Sequence, residues 1–112
     1  MTTGLVDKKC VPCEGRVPPL SAEQTRRLLG QLARGWTLAP DGRSLHRAFT
    51  FKDFHRTMSF VNAVAHVANV EDHHPDLEVG YDYCRIRWST HAIGGLSEND
   101  FICGAKVDRV AA

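Results

Sequence analysis

The middle of the chain carries its longest amphipathic pattern, which predicts a helix from about Lys52 to Val70. Apolar residues recur there at alternating spacings of four and three, with polar residues on the opposite side. The stripe consists of Phe54, Met58, Val61, Ala65 and Ala68, and it is widened by Phe60, Val64 and Val67. Pro75 disfavours the α conformation at the residue before it, so the helix must end near His73 and His74.

Two further helices are predicted from their end signals. Ser21 followed by Gln24 forms a capping box, in which each side chain bonds the backbone N–H of the other residue, and Gly35 suits the position after the helix. In the segment GGLSENDFICGAKVDRV, Ser97 is the expected N-cap and Asp100 lies three residues later. These signals predict one helix near each end of the chain.

Four short strands complete the predicted fold. The runs WTLA and RSLHRAFTF flank a Pro-Asp-Gly turn and predict a hairpin. A second hairpin follows the long helix: Leu77, Val79 and Tyr81 alternate in one strand, and Cys84, Ile86, Trp88 and Thr90 mark the apolar face of the other. The order α-β-β-α-β-β-α predicts an α+β fold, a four-stranded antiparallel sheet with helices packed on one face.

Length and composition restrict the class of protein. The chain has 112 residues and predicts an irregular N-terminal tail over residues 1–19 and a single domain over residues 20–112. Its net charge of +1 and the lack of a basic run longer than Lys8-Lys9 argue against binding to nucleic acid. No apolar run reaches the roughly 20 residues that span a bilayer, and no signal peptide is visible. We therefore expect a cytoplasmic protein without a membrane segment.

The chain has four cysteines, and two of them form a CxxC motif in the predicted tail. Cys10 and Cys13 make this motif, whereas Cys84 and Cys103 are widely spaced. A zinc ribbon would need a second CxxC pair, and a disulfide framework is not expected without a secretory signal. We interpret the motif as part of a functionally silent tail, with metal or redox chemistry, including chemistry between subunits, as the alternative.

Histidines are the main candidates for chemistry. His91 ends the last strand and Asp100 opens the last helix, so both lie at one edge of the sheet, which the connection carrying Asp72, His73 and His74 could also reach. Three histidines and a carboxylate could bind zinc or iron, but adjacent histidines rarely bind one metal together. Proton transfer needs only imidazoles that converge on one ligand. Solvated loop histidines and a purely capping aspartate remain the structural alternatives.

The same residues resemble a known family, the pterin-4a-carbinolamine dehydratases. The resemblance rests on His73-His74-Pro75, Tyr81, His91 within STH and Asp100 within GLSEND, and it extends upstream through FTFKDFHRTMSFVNAVA to Trp36. It covers about residues 20–110. One position departs from the family pattern: Asn69 stands where many members have an acidic residue, and an amide cannot tune a neighbouring histidine by charge.

The resemblance implies a reaction and a set of roles. Water would be lost from 4a-hydroxytetrahydrobiopterin to give the quinonoid dihydropterin, in tetrahydrobiopterin recycling. His73 and His91 would be the proton-transfer pair, His74 would position the pterin, and Asp100 would orient His91 or cap its helix. Asp72, Trp36 and Tyr81 would help to bind or orient the substrate.

The resemblance also implies partners. The pterin is itself the substrate, so no cofactor and no metal is expected, and an aromatic amino-acid hydroxylase could supply it. Family members form homodimers or homotetramers, with sheets joined edge to edge and helices packed between subunits. Two alternatives stay open: a non-catalytic dimerisation protein of the transcriptional coactivator type, and a metalloprotein with histidine ligands.

Overall fold

The computed structural model describes residues 4–12 and 18–111 and confirms the predicted order of elements. The helices are α1 (Ala22–Leu29), α2 (Phe54–Glu71) and α3 (Glu98–Ala111), and the strands are β1 (Thr37–Leu38), β2 (Leu45–Thr50), β3 (Asp76–Val79) and β4 (Tyr83–Trp88). Two 3₁₀ turns, Leu5–Asp7 and His91–Ile93, were not predicted. Within the described ranges, no helix is both long enough and apolar enough to cross a membrane.

The four strands form one antiparallel sheet in the order β1-β2-β4-β3. The predicted apolar face of the last strand is confirmed, because Cys84, Ile86, Trp88 and Thr90 are all buried. Helices α2 and α3 pack against each other and against β4 on this face. Strand β3 is an edge strand with exposed residues throughout. The sheet thus has one covered face, as predicted.

Helix α1 starts as predicted but ends earlier. The Ser21 side chain accepts a hydrogen bond from the Gln24 amide at 3.1 Å, and the Gln24 side chain accepts one from the Ser21 amide at 2.9 Å. After Leu29 the chain forms hydrogen bonds between residues three apart, from Gln31 N to Leu28 O at 3.0 Å and from Leu32 N to Leu29 O at 3.1 Å. Gly35, expected directly after the helix, instead lies in the turn before β1 with φ of +109°.

Helix α2 has nearly the predicted length, but the centre of its buried face is shifted. Asp53 caps it by accepting the Arg56 amide at 2.8 Å. The core side consists of Thr57, Phe60, Val64, Val67, Ala68 and Glu71. Of the predicted stripe, Ala68 is buried together with the widening residues Phe60, Val64 and Val67, whereas Phe54 is 49% exposed. The Thr57 hydroxyl lies 2.9 Å from the carbonyl oxygens of both Asp53 and Tyr81, which satisfies it in the core.

The N-terminal segment packs on the domain. Leu5, in the first 3₁₀ turn, is buried in the hydrophobic core beside residues of α3. The sequence predicts an irregular tail here, because a three-residue turn with one apolar side chain leaves no periodic pattern. The segment then carries residues 9–12 past the end of α2 and the start of α3. Cys13, the second cysteine of the CxxC motif, lies outside the described residues.

Candidate active site

The end of α2 determines where the two adjacent histidines point. Asp72 adopts a left-handed conformation with φ of 50°, and the amides of Asp72 and His73 both bond the carbonyl of Ala68. This C-terminal cap reverses the chain before Pro75 and β3. Consecutive side chains then diverge, so that His73 is partly buried and His74 is exposed.

A buried carboxylate holds His73. Asp100, in the first turn of α3, is 0% exposed, and its Oδ1 lies 2.6 Å from His73 Nε2. Its Oδ2 accepts hydrogen bonds from the Ser97 amide at 3.0 Å and from the Thr90 hydroxyl at 2.8 Å. The Thr90 hydrogen is used in this bond, so the Ser97 hydroxyl donates to Thr90 Oγ at 2.8 Å. Asp100 therefore caps α3, as expected, but the histidine it contacts is His73 rather than His91.

The residues around His73 fix the orientation of its imidazole ring. The imidazole stacks on Trp88, with ring centroids 5.6 Å apart and planes 9° apart, and its side chain is 13% exposed. A carboxylate has only acceptor atoms, so in the contact with Asp100 the proton belongs to His73 Nε2. In the neutral ring, Nδ1 is then the nitrogen with a free lone pair. This tautomer leaves Nδ1 to exchange a proton.

His73 opens onto a cleft of about 590 Å³. The cleft is lined by the end of α2 and its connection to β3, by the segment after β4, and by residues 9–12 of the N-terminal segment. His73, His74, His91 and Asp72 all contribute to its walls. The structure thus brings the three predicted histidines and one predicted carboxylate to one cavity, with Asp100 directly behind His73.

His74 and His91 are less constrained than His73. His91 begins the 3₁₀ turn after β4 and is exposed, which leaves its imidazole accessible from the cleft. His74 Nε2 lies 3.3 Å from Oδ1 of Asn69, in the last turn of α2. Asn69 therefore contacts a cleft histidine directly, through a neutral amide.

Two predicted site residues lie elsewhere. Trp36 is 5% exposed, and its indole N–H donates to Asp108 at 2.8 Å. Tyr81, in the turn between β3 and β4, is 65% exposed and stacks on Phe54 with centroids 6.4 Å apart. Neither is among the described residues that line the cleft. Any role for them in substrate binding stays a prediction.

Two residues of this region were missed by the sequence analysis. Glu71 is 8% exposed, although the amide of Cys10 donates to it at 2.9 Å and Lys106 lies 3.4 Å away. Burial alone would raise the pKa of Glu71, but the Cys10 amide and the Lys106 ammonium outweigh it and lower that pKa. Its spacing of four from Val67 and seven from Val64 indicates the buried face of α2 and could have identified it.

Asn99 is the second missed residue, and it holds the N-terminal segment at the cleft. Its side-chain oxygen accepts from the Val11 amide at 3.1 Å, and its side-chain nitrogen donates to the Val11 carbonyl at 2.6 Å. This pair of bonds joins positions 88 apart in the chain, so no local sequence pattern could have shown it. Within the described residues, no group of three or more histidines, cysteines or carboxylates is arranged to hold a metal ion.

Comparison with known proteins decides the family. The sequence model of the pterin 4 alpha carbinolamine dehydratases matches residues 18–110. The chain belongs to this dehydratase family. A relative from Nitrosomonas europaea, whose name places it among the pterin-4-alpha-carbinolamine dehydratases, is 61% identical over 104 residues, which are 93% of this chain and 90% of the relative. A relative of the same name from Legionella pneumophila (strain Corby) is 54% identical over 110 residues, 98% of this chain and 97% of its own.

Two solved structures share the fold of this chain. A transcriptional coactivator/pterin dehydratase from Brucella melitensis matches with a TM-score of 0.79 at 28% identity, covering 84% of this chain and 99% of its own. A pterin dehydratase-like protein identified as a RuBisCO assembly factor in the alpha-carboxysome matches with a TM-score of 0.62 at 24% identity, over 70% of this chain and 92% of its own. The second likeness supports the fold alone.

Proposed function

We propose that this chain removes water from 4a-hydroxytetrahydrobiopterin and releases the quinonoid dihydropterin, by proton transfer between its histidines and the substrate. The observation that carries the proposal is the 2.6 Å contact between His73 and the buried Asp100, in a cleft that His74 and His91 also line. Membership of the dehydratase family supports the same reaction and the pterin substrate.

The chemistry needs two proton transfers. The 4a-hydroxyl is a poor leaving group until it is protonated, and the proton on a ring nitrogen of the pterin must leave as the new double bond forms. One general acid and one general base supply these steps, and each contributes about 10²–10⁴-fold. After one turnover the protons have been redistributed among enzyme, substrate and water, and the products are the dihydropterin and one water molecule.

His73 is suited to one of these steps. Asp100 orients its ring through the 2.6 Å contact with Nε2. Nδ1 therefore both accepts and returns a proton without the ring moving. His91, exposed in the cleft wall, is the second member of the proposed pair. His74 and Asp72 are assigned to binding and orienting the pterin.

The proposed pair is tested by single substitutions in the full chain. His73→Ala and His91→Ala should each lower kcat for dehydration of synthetic 4a-hydroxytetrahydropterin by about 10²–10⁴-fold. His66→Ala is the matched control, because His66 is an exposed histidine of α2 that does not belong to the cleft lining. If both cleft variants kept the wild-type rate while folded, proton transfer by this pair would be excluded.

The cellular setting follows from the same proposal. A quinonoid dihydropterin is the substrate for a reduction that regenerates tetrahydrobiopterin, so we place the chain in cytoplasmic tetrahydrobiopterin recycling, supplied by an aromatic amino-acid hydroxylase. We also propose self-association as a homodimer or homotetramer. The exposed edge strand β3, with Leu77 and Val79 each 37% exposed, supports joining of sheets. Light scattering over a range of concentrations measures the state directly.

A further inference from the structure

Two thiols from distant parts of the chain meet beside the cleft. Cys10 lies in the N-terminal segment and Cys103 in α3, and their sulfur atoms are 3.5 Å apart although the residues are 93 positions apart. Cys103 is 0% exposed, whereas Cys10 is half-buried and belongs to the cleft lining. We propose that a peroxide converts Cys10 and Cys103 to a disulfide, which fixes residues 9–12 in place as a wall of the cleft.

The geometry favours this bond because both sides are already positioned. The Cys10 amide is held by Glu71 at 2.9 Å, and the next residue, Val11, is held on both its amide and its carbonyl by Asn99. Cys103 is fixed within α3. A disulfide has a sulfur–sulfur distance of about 2.05 Å, so the two atoms must approach by roughly 1.5 Å. Rotation of the Cys10 side chain and a small shift of an extended segment can supply that movement.

The two cysteines differ in exposure, and this difference sets the order of the two oxidation steps. A hydrogen bond with Cys10 and burial both raise the pKa of Cys103, which therefore remains a thiol until it reacts, with its sulfur 3.5 Å from that of Cys10. Cys10 faces the cleft, through which a small oxidant can reach it. We therefore assign the first reaction with peroxide to Cys10 and the second step to Cys103.

The reaction balances in two steps. The Cys10 sulfur attacks hydrogen peroxide, the O–O bond breaks, and Cys10 becomes a sulfenic acid while one water is released. The Cys103 sulfur then attacks the Cys10 sulfur, the S–O bond breaks, and the hydroxyl leaves as water with the Cys103 proton. Two electrons pass from the thiol pair to the peroxide, and a small dithiol reverses the change by exchange.

The neighbouring Cys13 provides the main competing reaction. It forms CxxC with Cys10, and a bond between these two would oxidise the motif without tying it to α3. Tryptic peptides separate the possibilities, because Cys10 and Cys13 share residues 10–16, Cys84 lies in residues 57–85, and Cys103 lies in residues 88–106. A bond between Cys10 and Cys103 joins the first and last of these peptides.

The test is a disulfide map of the full reduced chain after treatment with hydrogen peroxide. Free thiols are alkylated, the protein is digested without reduction, and peptides are identified by mass spectrometry. We expect residues 10–16 linked to residues 88–106, with Cys13 and Cys84 alkylated. A bond within residues 10–16, a link only between two chains, or an alkylated Cys103 after complete loss of the free Cys10 thiol would each overturn the proposal.

Two variants sharpen the result. Cys13→Ser should keep the linked peptide, whereas Cys10→Ser, a substitution at a half-buried position, should abolish it. The oxidised wild-type chain should also show a higher Tm than the reduced chain, because the bond closes a long loop in the unfolded state. Both readouts are independent of dehydratase activity, so they test the disulfide whether or not the proposed reaction holds. A Cys13→Ser chain that no longer forms the link would contradict the proposal.

Discussion

Asp100→Asn changes the proposed site by a single atom. In the structure the carboxylate accepts three hydrogen bonds, from the Ser97 amide, the Thr90 hydroxyl and the His73 ring. The carboxamide oxygen of the asparagine can keep the first two, which leaves its NH₂ group facing His73 Nε2. An NH₂ group must donate, so Nε2 has to give up its proton and Nδ1 has to carry it. The nitrogen that we assign to proton transfer would then be in the wrong state.

The size of the effect follows from the bond to His73. That bond changes from a charge-assisted to a neutral hydrogen bond, so the stability cost is at most that of one hydrogen bond involving a charged group, about 1.5–3 kcal/mol in the free energy of unfolding. The loss of a correctly protonated general acid or base costs about 10²–10⁴-fold in kcat. KM should change much less, because the residues assigned to pterin binding are untouched. Dehydration of synthetic carbinolamine, followed by absorbance, measures both constants.

Asp108→Asn is the matched control for this prediction. Asp108 also accepts several hydrogen bonds in a shielded position, from the Ala33 amide, the Trp36 indole and Arg47, but it lies away from the cleft. It should lose stability without losing kcat. Nitrogen chemical shifts of the His73 ring should report the altered tautomer in Asp100→Asn alone. A folded Asp100→Asn with wild-type kcat, or an equal fall in kcat for the control, would refute the reasoning.

Two further substitutions test other parts of the structure. Because the pKa of Glu71 is lowered in the folded state, the ionised carboxylate stabilises the fold fully above its ordinary pKa of 4.5, and this stabilisation is lost as the pH falls below 4.5. Glu71→Gln should therefore flatten the decline of Tm between neutral pH and about pH 3. The same substitution at the exposed Glu23 should leave that decline unchanged. Asn69→Asp places a carboxylate beside His74 Nε2. An exposed ion pair contributes up to about 1 kcal/mol. If all of this energy lowered the activation barrier, the dehydration rate would rise by about fivefold, so we expect an increase of up to that size. Asn62→Asp is its control, and an unchanged rate in Asn69→Asp would show that the amide suffices.

Local signals predicted most of the fold. Capping at Ser21, the Pro-Asp-Gly turn and the alternation around Ile86 each depend on residues within a few positions of one another, and all three are present in the structure. The centre of the buried face of α2 was predicted wrongly, because periodicity gives the width of an apolar stripe but not its centre. In the structure the buried side includes Thr57, a polar residue whose hydroxyl lies 2.9 Å from the carbonyls of Asp53 and Tyr81.

For the candidate site, the sequence indicated the histidines and Asp100 but not the contacts between them. The spacing of His73, His91 and Asp100, together with the family resemblance, selected residues that the structure places at one cleft. Which histidine meets Asp100 depends on the left-handed cap at Asp72 and on the packing of α3, and neither is encoded in spacing. The contribution of the N-terminal segment rests on pairs such as Val11 with Asn99, which only the folded chain brings together.

The triple hydrogen bonding of Asp100 ties the orientation of His73 to the integrity of one helix end. Fraying of the first turn of α3 would release the Ser97 amide and, with it, the carboxylate that holds the imidazole. Such local opening needs less free energy than global unfolding, so on heating we expect activity to decline before the far-UV circular dichroism signal does. Amide hydrogen exchange at Ser97 would then report the fraction of molecules with a misaligned histidine. The thermal optimum of the enzyme would be set by this turn rather than by its hydrophobic core.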